Sequence, residues 1–413
     1  MIITGCRIRG KDGLYDVTYE ATKFTAIVPH DESKDGTDTY KAEGKMMMPP
    51  FVEPHIHLDC VHTAGIPHYN MSGTLFEGIT TWDEYKTTQP LLIPEIKERA
   101  KLALRLMAEF GTQFVRTHVD VTETSFKGME ALLELKEELK DTMEIQLVAF
   151  PQNGILSTTN GKEYMEKAMK MGADCVGGIP HYEFTRELGV ESIKYIFDLA
   201  EKYDAMIDVH CDEVDDEQSR CLETMATEAW LRGMGNRTVA AHTCAMGSYN
   251  DAYTTKLFRV LKESGIKFNS CPTESIHLQG RIDSYPKRRG ITRIKQIRAA
   301  GMNIALGQDS IADPWYPIGV GNLLRILEMG LHVEQMMGYE DLQNCLDLIS
   351  VNGAKNLCVE QSYGIEVGKP ANFIIIDAKN DYETIRFHSP VILSVHSGNT
   401  IMEKRPASVS VKF

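Results

Sequence analysis

The sequence has no CxxC pair, although it contains nine cysteines. An odd, scattered set of thiols argues against a disulfide framework and reads as reduced cysteine in a cytoplasmic protein. Nothing approaches the roughly 18 uninterrupted apolar residues of a membrane span. Met1-Ile2-Ile3-Thr4-Gly5 leads from no basic segment into an apolar core, so no signal peptide is expected. Positive charge is in deficit: 44 Lys and Arg stand against 58 Asp and Glu, a net charge of −14. That balance argues against a nucleic-acid backbone or an anionic membrane as partner and leaves small molecules. The one basic run, Pro286-Lys287-Arg288-Arg289, is short and reads as a solvated or structural turn.

What is present is histidine in a telling place. The stretch Phe51-Val52-Glu53-Pro54-His55-Ile56-His57-Leu58-Asp59 follows an apolar run and alternates like a buried strand. Side chains at i and i+2 share a face of a strand, so His55 and His57 can aim at one point, as two ligands of one ion must. An HxH pair alone is weak evidence, because two histidines on one face also serve as ordinary packing.

Short strands are expected at both ends of the chain: Met1–Arg9, Tyr15–Tyr19 and Phe24–Val28, then Asn372–Asp377, Val391–Ser394, Ile401 and Val409–Phe413. They imply one small β-sandwich domain built from both termini, residues 1–48 plus 362–413. Between them, over 49–361, strands alternate with amphipathic stretches such as Ile93–Glu109, Met129–Lys140, Lys162–Met171 and Val190–Tyr203. The strands expected there are Phe51–His57, Phe114–Val121, Glu144–Phe150, Cys175–Pro180, Met206–His210, Thr238–His242, Lys267–Cys271 and Asn303–Gly307. Eight strand-then-helix units at roughly 30-residue spacing predict an α/β fold, a (β/α)8 TIM-like barrel. The long loops 63–92 and 311–320 are expected as pocket covers.

A barrel carries its site at the C-terminal ends of its strands. Reading those ends gives His55 with His57, His118 with Asp120, Phe150 with Gln152, His181, His210 with Glu213, His242, Pro272 and Asp309. Six of the eight ends carry His or Asp in a chain with only 13 histidines, too many for coincidence. His55, His57, His210 and Asp309 then offer three imidazoles and a carboxylate to one divalent ion, zinc or iron, with a position left for water. Such an ion makes water nucleophilic near pH 7. Asp309 and His242 are candidates to orient that water and take its proton, and Glu213 to carry a proton to the substrate. His181 and then His118 are expected to cap strand ends instead. Asp212, Asp215 and Asp216 are expected to be solvated or helix-capping.

At this point longer strings become informative. PPFVEPHIHLD, SGTLFEGI, VRTHVDV, AFPQNGIL, IPHYEFTRELGVES, IDVHCDEVDDEQSR, YPKRRGITR and DPWYP carry a resemblance, extending from Pro50 to about Ala378, to the amidohydrolase superfamily, within it the bacterial-type cytosine deaminases, to which creatinine deaminases are related. The resemblance implies the same four ligands, Glu213 as proton shuttle, Gln152 as reader of the substrate ring, and Phe150, Leu75 and Trp315 as apolar walls. It also implies a homo-oligomer. Relatives that hydrolyse cyclic amides, such as dihydropyrimidinases, use two metals bridged by a modified lysine at the fourth strand's end. Here that strand ends Gly177-Gly178-Ile179-Pro180-His181, without lysine. One metal ion per subunit and a deaminase are therefore expected. The zinc deaminases of nucleic-acid bases use HxE with PCxxC, which is absent.

Two departures bear on substrate. Bacterial cytosine deaminases usually read His-Asp-Asp at the last strand, where this chain reads Gln308-Asp309-Ser310. A wall carboxylate becomes a short hydroxyl, leaving room for a ring methyl group. After the seventh strand, Cys271-Pro272-Thr273-Glu274 replaces a more apolar run; Glu274 is a candidate for the pocket wall, although it reads more readily as solvent-facing. Cytosine or a 5-substituted cytosine such as 5-methylcytosine is the expected substrate, with creatinine as the alternative.

Overall fold

The computed structural model describes residues 1–32, 39–405 and 409–412. The N-terminal strands are β1 (Ile2–Ile8), β2 (Tyr15–Glu20), β3 (Lys23–Pro29), β4 (Thr39–Lys41) and β5 (Met46–Met48). Eight strands follow: β6 (Phe51–Ile56), β7 (Thr112–Asp120), β8 (Glu144–Phe150), β9 (Cys175–Val176), β10 (Met206–Cys211), β11 (Thr238–His242), β12 (Lys267–Ser270) and β13 (Ile304–Leu306). The chain ends with β14 (Phe373–Ile376), β15 (Val391–His396) and β16 (Asn399–Glu403).

Strands β6 to β13 pair in sequence order and in parallel, and a single bridge between Ile56 and Asp309 joins the last to the first. This is the expected (β/α)8 barrel. Its helices include α1 (Leu75–Thr88), α2 (Ile93–Glu109), α3 (Lys127–Leu139), α4 (Gly161–Met171), α5 (Arg186–Tyr203), α6 (Cys221–Arg232), α7 (Asp251–Ser264) and α8 (Pro272–Leu278). Helices α2 to α7 each lay an apolar stripe on the barrel, whereas α1 and α8 meet in a separate apolar cluster that includes Leu75, Ile79, Trp82 and Leu278. In α2 the buried residues are Ile96, Ala100, Ala103, Leu104 and Met107, the spacing of one helical face.

All nine residues of β7 are buried, as a parallel strand covered on both faces requires. Its one arginine, Arg116, is paired within the barrel. Arg116 donates to Asp208 Oδ2 (2.9 Å) and to Gln146 Oε1 (3.1 and 2.8 Å). The ion pair floors the barrel beneath the histidines.

The strands from the two termini form one mixed sheet in the order β16-β15-β14-β5-β1-β2-β3, with β4 on β1. The C-terminal strands graft on where β14 runs antiparallel to β5. The sheet closes on itself in sandwich fashion: Phe24 of β3 and Phe373 of β14 have three strands between them in the sheet, yet their ring centroids lie 5.9 Å apart. Strand alternation lets β5 serve two cores, with Met46 and Met48 entering the barrel core and Met47 the core of the small sheet.

Three expectations need correction. The fourth barrel strand stops at Val176 rather than Pro180, which has no N–H for a ladder and opens a one-turn helix over Pro180–Tyr182. The loop 63–92 contains α1, capped by Thr74 and buried along Leu75, Ile79 and Trp82. No strand forms over 409–412, and Phe413 lies outside the described residues. The basic run Pro286-Lys287-Arg288-Arg289 is an exposed structural turn, as expected: the Arg288 guanidinium binds Asp283 through two bonds (2.6 and 2.7 Å) and donates to the Asp215 carbonyl.

All nine cysteines are free, eight of them buried. No helix among the described residues is long and apolar enough to cross a membrane.

Candidate active site

The side chains predicted from the strand ends meet above the Arg116–Asp208 pair. His210 Nε2 lies 3.2 Å from His55 Nε2 and 3.0 Å from His57 Nε2. His242 Nε2 lies 3.2 Å from His55 Nε2. Asp309 Oδ1 is 3.5 Å from Nε2 of both His55 and His57. Direct hydrogen bonds cannot account for this packing, because each contact needs its own proton and neutral imidazoles carry one apiece. Donors bound to one zinc-sized ion at about 2.0–2.2 Å stand roughly 3 to 3.5 Å from one another. The observed spacings fit a shared cation.

The protonation states fit too. Burial and neighbouring imidazoles hold His55 and His210 well below the usual histidine range, and burial lowers His57 to about 4. Neutral imidazole is the form that ligates a metal. Burial and the nearby Asp313 carboxylate raise Asp309. A divalent cation at this point would supply the counter-charge.

His55, His210, His242 and Asp309 offer ligand atoms all within 4.8 Å of one another, so His242 competes on geometry for a ligand position assigned to His57. The remaining contacts divide their roles. His242 Nδ1 faces Glu213 Oε1 (3.5 Å) and Asp309 Oδ2 (3.7 Å), placing it between the two carboxylates rather than wholly inside the ligand ring. Both His242 and Asp309 have left-handed backbones, φ 63 and 68, which cost about 1–2 kcal/mol each for residues with a Cβ. Such strain persists only where the surroundings enforce it, and it concentrates at functional sites.

His118 does not cap a strand end. It is fully buried, its ring centroid lies 4.1 Å from that of His55, and Nε2 is 3.7 Å from Asp208 Oδ1. Asp208 also faces His55 Nδ1 at 4.0 Å, so Asp208 and His118 back the first ligand from behind. His181 lies in an outer cavity beside Pro180 and Glu183. Asp212 is buried and caps α6, accepting from Cys221 (3.0 Å) and Leu222 (2.9 Å). Asp215 and Asp216 accept from the backbone N–H groups of Gly280 and Gln218.

Above the cluster opens a small cavity. His57, His210, Glu213 and Asp309 form its floor, and Leu75, Gln152, Ser310 and Trp315 its walls. Glu274 joins them. It is 3 % exposed with Oε2 unpartnered, so the solvent-facing expectation is wrong: Pro272 starts α8 at once and turns position 274 inward. Phe150 is displaced from its expected role as a wall. Fully buried, it stacks on His210 with centroids 4.1 Å apart, fixing that ring's plane. Ile179, which the sequence reading missed, completes the lining; its position just before Pro180 at the fourth strand's end was the available signal.

Both expected covers contribute to the cavity. Trp315 donates from Nε1 to the Leu75 carbonyl (3.3 Å), and its indole lies against Gly78, where a Cβ would fall 2.5 Å away. Burial, and then the Asp309 charge, push the Glu213 carboxyl well above its usual range, which favours its neutral form.

A model of the amidohydrolase family matches residues 38–403. A solved structure of 5-methylcytosine deaminase from Klebsiella pneumoniae, liganded with 5-fluorocytosine, is 50% identical, covers 100% of this chain and 99% of its own, and superposes with a TM-score of 0.97. N-isopropylammelide isopropyl amidohydrolase of Pseudomonas sp. (strain ADP) is 28% identical over 98% of this chain and 97% of its own length. The structure of N-isopropylammelide isopropylaminohydrolase from Burkholderia multivorans shares the fold at 23% identity, with a TM-score of 0.83 over 97% of this chain and 98% of its own.

Proposed function

Because the chain belongs to the amidohydrolase family, we propose that it is a hydrolytic deaminase of cytosine-type rings, with 5-methylcytosine as the preferred substrate. The observation that carries this reading is the convergence of His55, His57, His210 and Asp309 on one point, with Glu213 beside it and Gln152, Glu274 and Ser310 lining the small cavity above. Similarity along the whole chain to a 5-methylcytosine deaminase supports it.

Those four residues would hold one divalent ion, zinc or iron, which when bound supplies the Lewis acidity that activates water near neutral pH. The chain's own groups manage the protons. Asp309 turns Oδ1 to the ligand cluster and leaves Oδ2 toward His242, where it can accept the proton of the attacking water. His242, between Asp309 and Glu213, steadies the oxygen added at the amidine carbon. Glu213 gives its proton to the ring nitrogen, the proton taken up by Asp309 passes to the exocyclic amine, and the tetrahedral carbon expels ammonia as its hydroxyl returns a proton to Glu213 and becomes the carbonyl. Gln152 reads the ring edge, while Leu75, Ile179 and Trp315 exclude water. The net charge of −14 favours a free base over one carried in nucleic acid.

Ser310 decides the preference for a methyl group. It is 1 % exposed and lines the cavity, so its small side chain leaves room that a carboxylate would fill. Ammonia release measured on cytosine, 5-methylcytosine, isocytosine and creatinine should show the two cytosines turned over and 5-methylcytosine favoured. Ser310→Asp should lower kcat/KM for 5-methylcytosine relative to cytosine by roughly 10- to 200-fold, the range for gain or loss of one methylene-sized space. An unchanged ratio would remove Ser310 from the methyl pocket, and turnover confined to creatinine would replace the substrate.

A further inference from the structure

The ligand cluster draws on the two barrel strands that pair least. Strands β6 and β13 share only the bridge at Ile56 and Asp309, and Pro54 in β6 offers no N–H for a ladder. The register between β6 and β7 also shifts between Glu53 and Ile56. His55 and Asp309 therefore face each other across the weakest seam of the barrel. Backbone bonds hold part of it: Asp309 N–H donates to the His55 carbonyl (2.9 Å), and His57 N–H to the Asp309 carbonyl (3.1 Å).

The rest is held by a side chain. Glu53 is 0 % exposed, and its carboxylate lies across the seam. Oε1 accepts the N–H of His55 at 3.0 Å. The N–H of Gln308, the residue before Asp309, is shared between Oε1 and Oε2 at 3.1 and 3.0 Å. Gly307 makes room for it, since a Cβ there would fall 2.7 Å from Oε1 and 3.2 Å from the His55 carbonyl oxygen. A carboxylate suits this place because it is acceptor on both oxygens, whereas an amide would turn an NH2 group toward the N–H of Gln308 or His55.

We infer that Glu53 is a positioning residue for the metal site: it touches neither substrate nor ion, but fixes His55 and Asp309 at ligand spacing by clamping the backbone amides of both strands. The inference rests on the reading of the cluster as a metal centre and adds to it the element that sets its geometry. Outer supports of this kind typically change metal affinity by about 10- to 100-fold when removed.

The test is metal affinity, measured by competition with a chromophoric chelator on metal-stripped wild-type protein, Glu53→Gln and Gly307→Ala, with the melting temperature of each stripped protein alongside. Glu53→Gln should bind zinc at least tenfold more weakly. Gly307→Ala, which displaces the carboxylate while keeping it, should weaken binding in the same direction and so carries the test if Glu53→Gln does not fold. In the cobalt-substituted proteins, the visible spectrum of each variant should differ from wild type. A lowered melting temperature with wild-type zinc affinity and an unchanged cobalt spectrum would make Glu53 merely structural and overturn the inference. If wild-type protein binds no zinc or cobalt, the metal-site reading itself fails, an outcome distinct from equal binding by wild type and variants.

Discussion

Glu213→Gln is expected to keep its metal at the wild-type ratio while turnover of 5-methylcytosine falls by about 10²- to 10⁴-fold, the usual contribution of a general acid–base group. The substitution is nearly isosteric at a buried site, so the cavity and its walls should persist. What it removes is the proton. Burial and the Asp309 charge shift Glu213 toward its protonated form, and His242 Nδ1 stands 3.5 Å away, so in the proposed cycle the group gives and recovers a proton within one turnover. Glutamine keeps a donor but cannot cycle. Metal analysis beside steady-state kinetics separates the two roles: intact metal with near-normal turnover would take Glu213 out of the chemistry, and lost metal would recast it as a ligand.

Asp309→Asn should show the opposite signature, with metal and activity falling together. Asp309 is the one carboxylate within the ligand set, 3.5 Å from Nε2 of His55 and of His57. Asparagine is the fitting probe because, like aspartate, it tolerates the left-handed backbone that position 309 adopts at φ 68. The backbone bridge to Ile56 can therefore survive while the charge disappears. Loss of a direct ligand should exceed the roughly 10- to 100-fold that outer supports contribute to metal affinity. Dialysis followed by metal analysis checks it; a fully metallated, fully active variant would place the ion elsewhere.

The barrel was legible because parallel strands buried on both faces read as apolar runs, and β8 and β11 begin and end where those runs do. His55, His57, His210, His242 and Asp309 were legible for a related reason: strand ends are the one place where a polar residue regularly interrupts such a run. Glu53 was not, because its role depends on Gln308, 255 residues away, whose N–H it accepts. Arg116 and Asp208 were hidden in the same way, as partners across 92 residues inside a core where charge is not expected. His118 sits among the strand-end residues yet serves behind His55, a difference of depth along the barrel axis that spacing does not encode. Glu274 was misjudged because a seven-residue helix directly after β12 turns inward what a loop would have left in solvent.

The most direct measurement is product analysis on metal-loaded protein given 5-methylcytosine. A mononuclear hydrolytic deaminase yields thymine and ammonia in a one-to-one ratio, with one metal ion per chain. A ring-opened product without ammonia, or no turnover of either cytosine by protein that carries its metal, would contradict it.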